Sequence, residues 1–220
     1  MTYIDFFTSL HSRTKRNYLE RVSQGDKSEC ATIAKRFARD YWDGDRKYGY
    51  GGFSYDGRWE PMARELIAHY DLQDGKRVLD VGCGKGFLLF ELKKLLPGLE
   101  VQGVDISEYA LANAKEEMRP FLSLGSAQQL PYPDQSFDLV ISLNTLHNLY
   151  LFDLCKALQE IERVKRGRSY IVAESYRTEE EKANLLHWQL TCECFFTPAE
   201  WEYILSKTGY SGDYSFIYFE

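Results

Sequence analysis

The chain lacks any apolar run that approaches the ~18 residues of a membrane-spanning helix. Its first residues, MTYIDFFTSL, do not have the pattern of a signal peptide. It also lacks internal repeats, low-complexity tracts and linkers. These absences argue against a membrane or fibrous protein. We expect a soluble, cytoplasmic protein with no membrane partner, whose 220 residues form one compact unit with a few extra elements.

Cysteine spacing typical of a disulfide framework or a zinc site is missing as well. The five cysteines are an odd number, and only Cys192 and Cys194 are close together, as a C-x-C. A zinc site favours C-x-x-C pairs or neighbouring histidines, and His187 alone gives little support. We therefore expect free thiols in a reducing compartment and no metal site.

A basic surplus, which a surface for nucleic acid needs, is absent too. The chain has 27 Lys and Arg against 33 Asp and Glu, a net charge of −6. Residues 1–40 carry a small positive excess, which we interpret as the solvated faces of two helices. Nucleic acid is therefore not the expected partner, although a small RNA or a protein target stays open.

Aromatic residues, in contrast, are abundant. Phe, Trp and Tyr make up 15% of the chain, and seven of them fall within residues 41–59 together with five glycines. This composition suits neither a regular helix nor a strand, so we predict a loop with turns. The 41–59 segment is the part of the sequence that a generic core does not explain.

The hydrophobic pattern predicts an α/β fold. Helical periodicity appears first, and short apolar strands interleaved with helices follow from residue 77 onward. The predicted helices are 2–22, 28–42, 60–71, 86–96, 108–118, 151–165, 179–190 and 198–207, and the predicted strands are 77–81, 100–105, 121–124, 137–143, 169–175 and about 213–219. This order predicts a parallel sheet covered on both faces. We divide the chain into an N-terminal helical cap with a loop, 1–60, and a second unit, 61–220.

A glycine-rich turn lies between the first predicted strand and the next helix. Gly82, Gly84 and Gly86 alternate there, two positions after Asp80, and allow the backbone to approach a ligand closely. Asp105 ends the second strand, 19 positions after Gly86. An acid at about this separation from a glycine-rich turn can accept hydrogen bonds from ribose hydroxyls. The combination predicts a nucleoside pocket at the carboxyl edge of the sheet.

Three stretches carry a resemblance to a known family. VLDVGCGKGF, VQGVDIS and GSAQQLPYPDQSFDLVISLNTLHNL resemble the successive motifs of class I S-adenosylmethionine-dependent methyltransferases, in the small-molecule branch related to ubiquinone and menaquinone biosynthesis. The resemblance covers roughly residues 76–175. It implies a Rossmann-like sheet, mostly parallel with an antiparallel C-terminal strand. It also implies S-adenosyl-L-methionine as methyl donor and S-adenosyl-L-homocysteine as product.

The resemblance also implies roles for particular residues. The positions that would contact the methyl donor are Asp80, Gly82, Gly84 and Gly86 at its methionine end, Asp105 on the ribose, Ile106, Ser126, Ala127 and Gln128 around the adenine, and Leu143 and Asn144 under the sulfonium. Relatives usually have an aspartate where this chain has Ser126. A serine can still accept a hydrogen bond there, but without charge.

The methyl acceptor is not identified by these motifs. A general base is needed only if the acceptor must lose a proton, and His147 or Glu174 is the candidate. His147 as a hydrogen-bonded pocket residue is the alternative. Residues 142–145 do not match the [D/N]-P-P-[Y/F] motif of enzymes that methylate exocyclic amino groups.

The 41–59 segment is our candidate for acceptor recognition. We predict an aromatic lid formed by Tyr48, Tyr50, Tyr55 and Trp59, with Arg58 facing a carboxylate and a hinge at residues 51–52. Packing of the cap against the sheet is the alternative for the same residues.

Three functions stay open at this point. The first is methyl transfer to oxygen, nitrogen or carbon of a small metabolite. The second is methylation of RNA or of a protein side chain, and the third is a cofactor-binding partner subunit without catalysis. A nicotinamide-dependent oxidoreductase is disfavoured because Phe87 replaces the third glycine of the dinucleotide fingerprint. The oligomeric state is not predicted.

Overall fold

A six-stranded sheet organises the protein, whose computed structural model describes residues 1–7, 17, 18, 23 and 25–220. The strands are β1 (Arg77–Val81), β2 (Glu100–Asp105), β3 (Leu122–Leu124), β4 (Phe137–Leu143), β5 (Lys165–Glu174) and β6 (Asp213–Ile217). Their order across the sheet is β3-β2-β1-β4-β5-β6. The predicted Rossmann-like α/β architecture is confirmed.

The predicted antiparallel C-terminal strand is wrong. β6 pairs with β5 in parallel, with Tyr170 opposite Asp213 and Glu174 opposite Ile217. The connection between the two strands contains two helices and is long enough to return the chain to the end of the sheet where β5 begins. β6 therefore runs in the same direction as β5. Tyr3 extends this edge, because the Ile4 amide donates to the Tyr214 carbonyl at 2.9 Å.

Helices cover both faces of the sheet. The described α-helices are α1 (Lys27–Ala34), α2 (Arg39–Asp43), α3 (Glu60–His69), α4 (Phe87–Leu95), α5 (Glu108–Ala112), α6 (Leu151–Val164), α7 (Glu179–Trp188) and α8 (Pro198–Lys207). Within the described part of the chain, no helix has the length and apolar character required to cross a membrane.

The N-terminal region differs from the predicted pair of long helices. Residues 2–7 are not helical, and most of the predicted helix 2–22 lies outside the described residues. The predicted helix 28–42 is interrupted between α1 and α2, where Phe37 has a φ of 47°. A left-handed residue cannot continue a right-handed helix, so the chain turns at this point.

Two apolar clusters sandwich the sheet. On one face, Leu66 of α3 and Leu89 of α4 pack with Leu139 of β4. On the other face, Val140 of β4 packs with Ile161 of α6. Leu139 and Val140 are adjacent in β4 and point to opposite faces, as the period of a strand requires. Burial of the central strands on both faces explains their nearly continuous apolar sequence.

The strand order fixes where a ligand site can form. The chain runs outward from β1 to β2 and β3, then crosses back to place β4 on the other side of β1. The loops that follow β1 and β4 therefore diverge and leave a crevice at the carboxyl edge of the sheet.

Candidate active site

The glycine-rich turn after β1 forms the floor of this crevice. Gly82, Gly84 and Gly86 have φ values of 82°, 53° and 68°, a conformation that costs a side-chain-bearing residue free energy. At Gly84 a Cβ atom would lie 2.8 Å from the Trp42 ring. Gly86 is the N-cap of α4, so the turn leads directly into the first amides of that helix.

Asp105, the last residue of β2, faces the same crevice. Its Oδ2 accepts a hydrogen bond from the Gly84 amide at 2.7 Å, and its Oδ1 accepts one from the Ser107 amide at 2.8 Å. Burial raises the pKa of Asp105, while these backbone hydrogen bonds oppose that rise. The two amides fix the carboxylate at the edge of the cavity, where its oxygens can also accept hydrogen bonds from a ligand.

Asp80 is the second buried acid of the site and is 4% exposed. Burial, and then the charge of Asp105, raise the pKa of Asp80 to about 8. Among the described residues, none donates a hydrogen bond to its carboxylate. A cationic group of a ligand would favour the ionised form of Asp80.

One cavity of about 370 Å³ joins the glycine-rich turn, the ends of β2 and β4, and the 41–59 segment. The predicted site residues that line it are Asp80, Gly82, Gly84, Asp105, Ile106, Ser126, Ala127, Gln128, Leu143, Asn144, Tyr50, Arg58 and Trp59. The predicted residues outside its lining are Gly86, Tyr48, Tyr55, His147 and Glu174. The residues predicted for the methyl donor are thus brought together, apart from Gly86.

The hydroxyl of Ser126 is already engaged by a neighbour. It donates to the Gln128 side-chain carbonyl at 2.7 Å and accepts from the Gln128 amide at 3.2 Å. Ser126 therefore orders the loop after β3, and this local pairing gives it a structural role that the sequence did not indicate.

Three aromatic side chains, Trp42, Tyr50 and Phe53, form an aromatic wall of the cavity. Trp42 and Tyr50 are stacked with ring centroids 5.4 Å apart, and the Tyr50 and Phe53 centroids are 4.5 Å apart. The Trp42 indole donates to Ser107 Oγ at 2.9 Å, next to the amide that holds Asp105. Trp42 and Phe53 were missed as site residues, although they belong to the segment singled out by composition.

Other members of the predicted lid lie elsewhere. Tyr48 packs with Cys30, Ala34 and Leu190, away from the cavity. Tyr55 donates a hydrogen bond to Glu91 on α4. These two side chains follow the alternative that the sequence left open, in which the aromatics pack the N-terminal region against the domain.

Arg58 and the glycine pair at residues 51–52 are the remaining parts of the predicted lid. Arg58 lines the cavity, but its guanidinium also forms hydrogen bonds of 2.6–2.9 Å with both carboxylate oxygens of Asp56. Gly51 and Gly52 have φ values of 69° and 109°, and the Gly52 amide donates to the Trp42 carbonyl at 3.0 Å. In this structure the predicted hinge is a closed turn.

His147 and Glu174 form a buried pair beside the cavity rather than in it. The Glu174 amide donates to His147 Nδ1 at 3.3 Å, and His147 Nε2 lies 3.5 Å from Glu174 Oε2. Because Nδ1 accepts, the imidazole is the neutral tautomer with hydrogen on Nε2. Burial lowers the pKa of His147 to about 3. The 3.5 Å contact is therefore not an ion pair at neutral pH.

This burial predicts an acid-sensitive stability. An unfolded His147 takes up a proton near pH 6.5, whereas the folded one stays neutral until about pH 3. The unfolded state thus binds more protons between these values, and stability falls as the pH falls. We expect the free energy of unfolding to lose about 2 kcal/mol from His147 between pH 7 and pH 5.

Urea denaturation at both pH values checks this expectation. His147→Gln should show a pH-dependent loss about 2 kcal/mol smaller than the unsubstituted protein, even if its stability at pH 7 is lower. The exposed His69→Gln variant is the control and should keep the full loss. Equal losses in the unsubstituted protein and in His147→Gln would contradict a neutral, buried His147.

A family model described as "Methyltransferase domain" matches residues 72–209, which is more than half of the chain. The chain belongs to the methyltransferase domain family. The match begins just before β1 and ends just before β6, so it contains the glycine-rich turn, Asp105 and the end of β4. The resemblance drawn from the sequence motifs is confirmed.

Individual relatives agree with this membership. The methyltransferase domain is 36% identical over 128 residues to the demethylmenaquinone methyltransferase of Symbiobacterium thermophilum, covering 54% of this chain and 50% of that protein. It is 39% identical over 109 residues to the mitochondrial arginine-hydroxylase NDUFAF5 of Rattus norvegicus, covering 49% of this chain and 31% of that protein. The chain thus spans half or less of the length of these relatives.

A solved structure shares the fold. The YcgJ protein of Bacillus subtilis superimposes with a TM-score of 0.56, 24% identity and coverage of 66% of each chain. This similarity supports the Rossmann-like architecture of the methyltransferase domain and carries no information about the acceptor.

Proposed function

We propose that the protein transfers a methyl group from S-adenosyl-L-methionine to a small metabolite. The observation that carries the proposal is the single cavity shared by the glycine-rich turn, the amide-fixed carboxylate of Asp105 and the aromatic wall. Membership of the methyltransferase domain family supports the same activity.

The residues present fit this methyl donor. Asp105 offers two fixed acceptor oxygens for the ribose hydroxyls, and the exposed side chain of Ile106 offers an apolar surface for the adenine. Asp80, which lines the cavity without a described donor, would pair with the ammonium of the methionine part. The electron-rich faces of the aromatic wall would stabilise a sulfonium.

The chain's own contribution to catalysis would be positioning and exclusion of water. When bound, S-adenosyl-L-methionine supplies an activated methyl group that transfers by in-line displacement. The aromatic wall and Leu143 enclose the reacting region with apolar surface. Asp105 would fix the position of the methyl donor at the glycine-rich turn. The predicted bases His147 and Glu174 lie outside the described lining of the cavity, and the lining carboxylates Asp80 and Asp105 are assigned to the methyl donor in this proposal. We therefore propose an acceptor atom that is already nucleophilic at neutral pH.

The lining of the cavity favours an acceptor without phosphate groups. Asp80, Asp105 and Arg58 are the charged side chains among the described lining residues, and Arg58 is already paired with Asp56. A polynucleotide would need several cationic contacts for its phosphates. This lining supports a small, apolar or cationic acceptor.

The proposal is tested in two steps. Calorimetry should detect binding of S-adenosyl-L-methionine and S-adenosyl-L-homocysteine, and no binding of NAD; the reverse result would overturn the proposed cofactor. A whole-cell extract, which contains metabolites, proteins and RNA, should then yield a mass-shifted small molecule when it is incubated with the protein and isotopically labelled methyl donor. The Asp105→Ala variant is the control for background labelling. Label that appears only in protein or RNA would replace the small-metabolite acceptor with a macromolecule.

A further inference from the structure

Lys85 lies in the middle of the glycine-rich turn, but its side chain leaves the cavity. Its ammonium is buried, with 6% of the side chain exposed, and contacts Asp43 at 2.9 Å and 2.7 Å, one hydrogen bond to each carboxylate oxygen. It also donates to the Phe53 carbonyl at 2.7 Å. One lysine of the turn therefore holds both ends of residues 43–53, which we call the closing segment.

Asp43 completes this junction. Besides Lys85, its carboxylate accepts the Phe53 amide at 2.9 Å and the Tyr109 hydroxyl at 2.9 Å. Phe53 is thus held through both its amide and its carbonyl. The two ends of the closing segment are fixed to each other and, through Tyr109, to the helix that follows β2.

Two backbone hydrogen bonds connect the closing segment to the residues that directly precede it. The Tyr50 amide donates to the Tyr41 carbonyl at 2.8 Å, and the Gly52 amide donates to the Trp42 carbonyl at 3.0 Å. These contacts turn the aromatic wall toward the cavity, and Trp42 rests against Gly84, the residue before Lys85. The position of the aromatic wall is thus tied to the conformation of the glycine-rich turn.

Burial of the Lys85 ammonium costs desolvation free energy. Desolvation of a lysine and a carboxylate offsets much of their attraction, so an apolar residue of similar length would stabilise the fold about as well. What a methionine would not do is fix two chain ends at defined hydrogen-bonding angles. The charge pair is therefore better explained by the geometry it imposes than by stability.

We propose that Lys85 is a positioning residue that fastens the closing segment to the glycine-rich turn, so that ligand binding at the turn and closure of the segment are coupled. This inference rests on the proposed function, because the ligand at the turn is the methyl donor or its product. Coupling is reciprocal. The bound ligand should therefore protect the closing segment from proteolysis, and loss of the Lys85 contacts should weaken ligand binding.

Two measurements on Lys85→Met test the coupling. Calorimetry should show S-adenosyl-L-homocysteine binding at least about tenfold weaker than in the unsubstituted protein, within the roughly 5- to 150-fold range of coupled sites. Trypsin should cleave after Arg46 or Lys47 faster than in the unsubstituted protein, with the site identified by mass spectrometry. Saturating S-adenosyl-L-homocysteine should slow that cleavage in the unsubstituted protein and much less in Lys85→Met. Lys207→Met, an exposed lysine on α8, is the matched control and should change neither measurement.

Asp43→Asn supplies a second, milder variant. It keeps an acceptor for the Phe53 amide and removes the charge opposite Lys85, so it should weaken binding and speed cleavage in the same direction. The double variant should be little worse than Lys85→Met alone, because both changes break one junction. If circular dichroism shows that Lys85→Met is unfolded, Asp43→Asn carries the test.

The outcomes separate this inference from the proposed function. If the unsubstituted protein does not bind S-adenosyl-L-homocysteine, the proposed function fails. If it binds, and both folded variants bind equally well with unchanged cleavage at residues 46–47, the coupling role of Lys85 is overturned while the proposed function stands.

Discussion

Asp105→Ala is expected to weaken binding of S-adenosyl-L-homocysteine at least about hundredfold. A hydrogen bond to a charged group contributes about 1.5–3 kcal/mol, and two ribose hydroxyls would lose their acceptor together. The substitution also releases the Gly84 and Ser107 amides, which the carboxylate holds at 2.7 Å and 2.8 Å. The glycine-rich turn should therefore become less ordered as well.

This second effect changes what the experiment must control. A carboxylate that serves only the ligand could be removed without cost to the fold, whereas Asp105 leaves two backbone donors unsatisfied, and stability should fall by about 1–3 kcal/mol. Asp138→Ala is a matched control. Asp138 accepts the Arg77 amide at 2.8 Å and pairs with Arg166 at the opposite end of the sheet.

Calorimetry and urea denaturation on both variants separate the two effects. Asp138→Ala should lose stability and keep its affinity for S-adenosyl-L-homocysteine, whereas Asp105→Ala should lose both. An Asp105→Ala variant that binds as tightly as the unsubstituted protein would remove Asp105 from the ligand site and, with it, the proposed ribose position.

The sheet was predictable because its determinants are local and repetitive. The strands β1, β4 and β5 contain apolar runs, and burial on both faces of the sheet favours such runs. The direction of β6 was not predictable from its own residues, since the same residues can pair in either direction. It is set by the crossover through α7 and α8.

The site residues also differ in whether local sequence or tertiary packing sets their positions. Asp80 is the next-to-last residue of one predicted strand and Asp105 is the last residue of another, so the topology alone brings them to one edge, next to the glycine-rich turn. His147 follows a predicted strand as well, but its side chain turns into the core toward Glu174. The direction of a side chain in a loop depends on tertiary packing, which no local pattern encodes.

The aromatic wall is an intermediate case. Composition located the 41–59 segment, yet which rings face the cavity depends on the closed turn at Gly51 and Gly52 and on the junction at Lys85. The contacts at Lys85 join residues 32 and 42 positions apart. The segment could therefore be found from the sequence, and its inward face could not.

Gly82→Ala is expected to lower the free energy of unfolding by roughly 2–5 kcal/mol and to abolish measurable binding of S-adenosyl-L-homocysteine. Part of the cost is conformational, because a φ of 82° disfavours any residue with a Cβ atom by about 1–2 kcal/mol. The rest is steric. The new Cβ would lie 2.0 Å from Oγ1, 2.4 Å from Cγ2 and 2.6 Å from Cβ of Thr145, and such overpacking costs about 1–3 kcal/mol.

Gly75→Ala separates these two contributions. Gly75 also has a φ of 82°, it lies in the turn before β1, and a Cβ there would meet no atom within 4 Å. Urea denaturation should therefore give about 1–2 kcal/mol for Gly75→Ala and a clearly larger loss for Gly82→Ala, with binding retained only in the former.

Thr145→Gly in the Gly82→Ala background isolates the steric part. Thr145→Ala would not suffice, because its Cβ would still lie 2.6 Å from the new methyl group. Compared with Thr145→Gly alone, the added Gly82→Ala change should cost only the conformational 1–2 kcal/mol. If Gly82→Ala costs no more than Gly75→Ala in the otherwise unsubstituted protein, the close approach of the glycine-rich turn to the end of β4 is wrong. The crevice between these two loops would then be wider than the cavity described above.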